Sequence, residues 1–176
     1  MARKKTDREV KEELERRLEE IELLKQQAQQ QGLAASSPTK EQLEKKIRGE
    51  TSNSPYIYQQ SWSSNVPLGG TALYQVWYSN PDPGYYYPSF VSVFFGVANF
   101  LDDIGEGLSG RDTRWPELSS PLFALASGAT GTQSFSYVTP NVVQRSTYLG
   151  NAVLWRGDFH DKGTYFDRAL FNVTLT

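Results

Sequence analysis

The sequence predicts a mainly β fold, an immunoglobulin-like antiparallel β-sandwich carrying an N-terminal helical arm. Three observations lead there. All 23 aromatic residues fall between Tyr56 and Phe171. The first 50 residues hold 12 Lys/Arg and 11 Asp/Glu with no Phe, Tyr or Trp, against 6 and 9 in the remaining 126. Apolar spacing is helical in the first part and becomes short β-prone runs separated by turn residues in the second. The expected organisation is a charged arm over 1–50, a linker over 51–55 and a sandwich domain over 56–176.

The first element is a helix over about 7–31. Thr6 and Glu9 have capping-box spacing, in which the hydroxyl accepts a first-turn amide and the carboxylate reaches back. Glu12 to Arg16 and Glu13 to Arg17 are acid-first pairs four apart, and Gly32 stands where a left-handed stop belongs. Such a helix is roughly 37 Å long. Val10, Leu14, position 17, Ile21, Leu24 and Ala28 repeat at four-three spacing, but position 17 is Arg and interrupts the seam. The pattern predicts a helix that is solvated or laid on its own domain, or a short self-associating coiled coil. Leu14, Leu18, Ile21 and Leu24 are the contact residues of the arm in either case.

A second helix is predicted over 40–48. Thr39 and Gln42 repeat the capping-box spacing, Pro38 precedes them and Gly49 closes the run. Leu43 and Ile47 share a face, and nine residues are too few to stay helical alone in water, so this piece requires a partner surface. Gly32 to Pro38 and Gly49 to Pro55 read as linkers.

Seven strands are expected: Tyr56 to Trp62, Thr71 to Ser79, Ser89 to Asn99, Leu122 to Ala126, Thr132 to Val138, Tyr148 to Arg156 and Tyr165 to Leu175. Turn-forming runs separate them, among them Asn80-Pro81-Asp82-Pro83-Gly84 and Ser127-Gly128-Ala129-Thr130-Gly131. Alternation places Ala169, Phe171, Val173 and Leu175 on the core face of the last strand. Thr71 to Ser79 carries large groups on both faces, so it reads as central and covered on both sides. Phe90 to Phe95 is apolar on both faces, which a sandwich sheet with one solvated face does not require. The charged helix or a second copy of the protein is the expected cover.

Gly128-Ala129-Thr130, then Phe135-Ser136-Tyr137-Val138-Thr139-Pro140, then Ser146-Thr147-Tyr148-Leu149-Gly150-Asn151 carry a family resemblance. The passage, within residues 66–175, resembles the immunoglobulin-like adhesion modules of bacteria known as CARDB domains. In these a glycine turn precedes a strand ending in Val-Pro, and a Gly-x-Tyr opens the next strand. Tyr148 matches that tyrosine; Ser146 replaces the glycine and Thr139 splits the Val-Pro pair. The resemblance implies a binding or spacer module and brings no catalytic residue with it.

Composition narrows function. Net charge is −2, divided as +1 on the first 50 residues and −3 on the rest, so no strong field attracts nucleic acid or anionic lipid. No cysteine is present, no apolar run approaches the roughly 18 residues of a membrane span, and the amino terminus runs from Arg3-Lys4-Lys5 into a charged segment without the apolar core of a signal peptide. The expectation is a cytoplasmic protein with neither nucleic-acid nor membrane partners. Motifs for acyl transfer, phosphate binding and zinc hydrolysis are missing, so no enzyme and no cofactor are expected. Asp158, His160 and Asp161, with Asp167, are competent metal ligands, but without the spacing of a known site they read as a polar hairpin loop. Asp102, Asp103 and Glu106 lack the alternation of a calcium loop and read likewise.

The remaining candidates are aromatic. Tyr85, Tyr86 and Tyr87 follow a proline-rich turn and Trp115 precedes Pro116 in another loop, where exposed rings anchor protein interfaces or stack on sugars. The expected function is a non-enzymatic interaction or assembly module, the sandwich engaging a protein partner and the arm positioning or oligomerising it. The alternatives are a carbohydrate-binding domain using the same loops, or a structural subunit of a phage-like or secretion-related particle.

Overall fold

Both helices begin at the capping boxes that the sequence spells. The computed structural model describes residues 4–49, 54–96, 111–141, 146–157 and 165–176. In α1 (Asp7–Gln30), the Thr6 backbone N–H donates to Glu9 Oε2 at 2.7 Å and the Glu9 N–H to Thr6 Oγ1 at 3.3 Å. In α2 (Lys40–Arg48), Thr39 and Gln42 make the same reciprocal pair, and Gly49 ends the helix at φ 70°. No helix among the described residues is long and apolar enough to cross a membrane.

Ten strands follow or intervene among the described residues: β1 (Ala34–Ser36), β2 (Tyr56–Trp62), β3 (Asn65–Val66), β4 (Thr71–Ser79), β5 (Tyr87–Phe95), β6 (Leu118–Ser119), β7 (Phe123–Leu125), β8 (Thr130–Val138), β9 (Thr147–Arg156) and β10 (Tyr165–Leu175). The first sheet runs β1-β2-β4-β8. The second runs β3-β10-β9-β5-β6, with β7 also on β5. All seven expected strands are present, although β5 stops at Phe95 and Asn99 lies outside the described residues. Three short strands are additional, and β3 pairs parallel to β10, the one departure from antiparallel pairing in the described ladders.

Between the sheets lies an aromatic core. From β4 it takes Ala72, Tyr74, Val76 and Tyr78, from β5 Val91, Val93 and Phe95, and from β10 Phe171, Val173 and Leu175, as alternation predicts. Phe171 stacks on Tyr74 at 4.5 Å and lies flat over Gly150, where an added Cβ would sit 2.3 Å from the ring. Only glycine leaves room for the aromatic there. Where the sheets approach, Gln60 Nε2 donates to the Leu170 carbonyl and Trp62 Nε1 to the Asn172 carbonyl, each at 2.8 Å.

The arm covers the β2 side of the first sheet's outer face. Val10, Leu14, Ile21, Leu43 and Ile47 pack on Tyr56 and Tyr58, with Leu18, Leu24 and Trp77 at the margin. Burying Leu43 and Ile47 contributes roughly 1.5–3 kcal/mol each, enough to hold a helix too short to stand alone. Arg17 does not break the seam: it is 4% exposed, its guanidinium carbon lies 5.0 Å from the Tyr58 ring centroid, and Nη1 donates to Glu20 Oε2 at 2.7 Å. The four-three series therefore faces the chain's own sheet.

Two linker expectations change with this packing. Ala34, Ala35 and Ser36, read as linker, form β1 and pair with Trp62, Ser61 and Gln60 at the sheet edge. Lys46 Nζ reaches Asp167 of β10 at 2.6 Å, and the same carboxylate oxygen accepts the Ile57 N–H at 2.9 Å. The arm is thus tied to both sheets.

The expected cover of Phe90 to Phe95 is corrected as well. The charged helix lies on the other sheet, because its aliphatic stripe meets Tyr56 and Tyr58. Phe90 and Phe94 are buried with Val153 and Trp155 on the outer face of the second sheet within the single chain, so their burial does not require a second copy.

Candidate functional site

The turn after β4 is built by two buried side chains. Asn80 Nδ2 donates to the carbonyls of Tyr85, Leu125 and Ala126 at 2.8, 3.2 and 3.1 Å, while its Oδ1 accepts the Asp82 N–H at 3.0 Å. Asp82 Oδ1 accepts the N–H groups of Gly84 and Tyr85 at 2.9 and 3.2 Å. Its Oδ2 accepts the Tyr87 hydroxyl at 3.0 Å, and its carbonyl accepts the Ser127 hydroxyl at 2.7 Å. Asn and Asp here supply in side chains the bonds that a proline-interrupted backbone cannot make for itself.

This brace separates the three tyrosines. Tyr87 opens β5, bonds inward to Asp82 and meets Phe166 edge to face at 5.2 Å. Burial and the Asp82 hydrogen bond both push its hydroxyl pKa up. Tyr85 and Tyr86 are 59% and 70% exposed. Two adjacent rings are thus held out on a loop whose backbone is pinned at both ends.

Trp115 is elsewhere and buried. The Asp112 N–H donates to the Phe95 carbonyl at 2.6 Å, the Trp115 N–H donates to the Asp112 carbonyl at 3.1 Å, and the indole stacks on Phe95 at 3.8 Å. At 2% exposed, it belongs to the core and has no surface for a partner. The expectation of an exposed ring fails because the loop is fastened to the end of β5, which turns the indole between the sheets.

Leu14 and Ile21 are buried on the first sheet and Leu18 and Leu24 pack beside them, so the arm's contact residues meet their own domain. Asp158, His160 and Asp161, like Asp102, Asp103 and Glu106, lie outside the described residues. Asp167 is engaged by Lys46 and the Ile57 N–H. Among the described residues no three His, Cys, Asp or Glu side chains cluster as metal ligands.

Three clefts accompany these features. One of about 450 Å³ runs between the start of α1 and the tyrosine loop, lined by Glu9, Glu12, Glu13, Arg16, Pro81 and Pro83. Lys5 pairs with Glu13 at its margin. A second, about 390 Å³, is bounded by Arg111, Asp112, Arg114 and Tyr148. There Arg111 pairs with Glu117 and Arg114 with Asp112, which holds the Asp112 carboxyl below its ordinary range. The third, about 360 Å³, lies between α2 and β10, lined by Lys45, Lys46, Gln59 and Gln60 among others. Ion pairs engage Lys45 and Lys46 with Glu41 and Asp167.

No protein-family model and no curated protein matches the chain. Solved structures do. The CARDB domain of a Pyrococcus furiosus protein, solved in complex with di-metal ions, is 16% identical over 70% of this chain and 86% of its own, with TM-score 0.42. The C-terminal domain of wzt is 11% identical over 70% and 74%, with TM-score 0.51. A Niemann-Pick type C2 protein from Japanese carpenter ant is 6% identical over 70% and 93%, with TM-score 0.44. CARDB domains are thus among the solved structures similar to this chain, and the wzt domain, with TM-score 0.51 at 11% identity, speaks to the fold alone.

Proposed function

We propose that this protein is a non-enzymatic interaction module whose sandwich engages a protein partner through Tyr85 and Tyr86. The observation that carries this reading is the braced turn: Asn80, Asp82 and Ser127 fix the backbone while two neighbouring rings stand in solvent. Rigid tyrosines offer large contact area at little entropic cost, and a preorganised loop loses less freedom on binding. The arm has a positioning role in this reading, since α1 forms one wall of the cleft beside Pro81 and Pro83.

Affinity capture from the native lysate with the full chain, compared with a Tyr85→Ala/Tyr86→Ala variant of unchanged fold, tests the proposal. A protein retained by the parent and lost with the double variant is the expected result. Capture that ignores the substitutions contradicts it. Glycan binding by the parent that disappears with the rings, without a protein partner, would replace it with the carbohydrate reading.

A further inference from the structure

The last strand of the first sheet is paired on one side. β8 follows β4 without a break from Val138 opposite Thr71 to Thr130 opposite Ser79. Two hydrogen bonds set its phase: the Asn80 N–H donates to the Ala129 carbonyl and the Thr139 N–H to the Gly70 carbonyl, each at 2.9 Å. Odd-numbered residues of β8 therefore turn their main-chain groups toward β4. Thr130, Thr132, Ser134, Ser136 and Val138 turn theirs away from it. All five are exposed, and among the described residues neither a further strand nor a backbone bond outside the ladders meets them.

Protein sheets ordinarily protect such an edge with charges, proline, a bulge or brevity. β8 has none of these over nine residues, Thr-Gly-Thr-Gln-Ser-Phe-Ser-Tyr-Val, and its pairing with β4 is without a register shift. The opposite edge of the same sheet, β1, is three residues long. Beside the open edge, Leu73 and Val138 are 43% and 60% exposed and lie diagonally on one face.

We propose that β8 pairs antiparallel with β8 of a second copy of this chain, joining two four-stranded sheets about a two-fold axis at Ser134. The edge is its own complement. In that register the two copies of Ser134 face each other, Thr132 faces Ser136, and Thr130 faces Val138. Every facing pair has outward main-chain groups and exchanges two hydrogen bonds. Hydroxyl meets hydroxyl and the threonine methyl meets valine, both favourable cross-strand pairs, and no like charges meet on the axis. A foreign strand would find no charge on this edge to select it. The inference stands apart from the tyrosine-loop reading and uses none of its residues. It also relocates self-association from the arm, whose seam is occupied by Tyr56 and Tyr58.

The test combines sedimentation of the full chain over a concentration series with amide hydrogen exchange. A concentration-dependent dimer is expected, with the amides of Thr132, Ser134 and Ser136 gaining protection as it forms, while those of Gln133, Phe135 and Tyr137 are protected throughout by β4. Ser134→Lys places two ammonium groups on the axis and should weaken association at least about tenfold. Ser134→Pro removes only an outward donor and should do the same, whereas Ser134→Thr should leave the dimer intact. A parent that stays monomeric at millimolar concentration overturns the proposal, as does a dimer that ignores Ser134→Lys or leaves the even-numbered amides unprotected. Should the variants misfold, the exchange pattern of the parent alone decides.

Discussion

The tyrosine loop and the Trp115 loop share a composition and end in opposite places. Each combines aromatic residues with proline between β-prone runs, yet Tyr85 and Tyr86 stand in solvent while Trp115 lies against Phe95. Backbone anchoring makes the difference. Asn80 and Asp82 bond the tyrosine loop to itself and to the end of β7, leaving the rings outside. Asp112 bonds the other loop to the Phe95 carbonyl, which delivers the indole into the gap between the sheets. Aromatic content marks a ring as valuable; the destination of the main-chain hydrogen bonds decides whether that value goes to the core or to a partner.

The largest effect that would break this contrast is on stability. Trp115→Ala should cost about 3–5 kcal/mol, because it empties a stacked site between the sheets. Denaturant unfolding measures it, and a near-neutral result would return Trp115 to the surface.

Alkaline titration asks how deeply the other tyrosines are committed to the interior. Burial, then the Glu13 charge, push the Tyr56 hydroxyl from its ordinary 10.0 up to about 12. Burial pushes Tyr58, Tyr74 and Tyr137 in the same direction. A folded-state pKa above the unfolded one favours the neutral phenol, so this part of the stability is intact below pH 10 and is lost as pH rises through about 12. Thermal melts across that window should fall as tyrosinate absorbance appears. A flat melting temperature would mean that the arm leaves Tyr56 and Tyr58 open to water.

A smaller effect sharpens the account of the brace. Asp82→Ala leaves the N–H groups of Gly84 and Tyr85 without their acceptor and should cost about 1–3 kcal/mol. Amide exchange at those two positions should accelerate while β4 and β5 keep their protection. Smallest of all, Tyr86→Ala should stay within about 0.5 kcal/mol of the parent, since it removes an exposed ring. A large loss there would show that the ring packs on something.

Much of this architecture was legible in advance. Capping boxes at Thr6 and Thr39 and the stop at Gly49 are local chemistry, so both helices matched their expected bounds closely. Alternation named the core face of β10 because a strand has only two faces. Arg17 is less legible: its position obeys the seam, but its charge argues against burial, and the Tyr58 ring and the Glu20 carboxylate that receive it are contacts a spacing pattern does not show. β1 was hidden because three small residues carry no periodicity, and its pairing with β2 is a tertiary fact. The placement of the arm over the first sheet was hidden for a similar reason, since each sheet has an apolar patch on its outer face, Tyr56, Tyr58 and Trp77 on one and Phe90, Phe94, Val153 and Trp155 on the other.

The candidate site was partly legible. A proline-rich turn before three tyrosines announced exposure, and two of the three rings are exposed. The roles of Asn80 and Asp82 had a signal too, in the Asn-Pro-Asp-Pro-Gly run, but composition alone does not say which carbonyls an amide will find. Nothing near Trp115 announced its tether to Phe95.

The contact role of Tyr85 and Tyr86 is tested most directly by tyrosine modification, mapped by peptide mass on the full chain alone and in complex with the captured partner. The account predicts that Tyr85 and Tyr86 react readily in the free protein, that Tyr56, Tyr58 and Tyr74 resist, and that the partner shields Tyr85 and Tyr86. Equal modification of these two rings with and without the partner would contradict it.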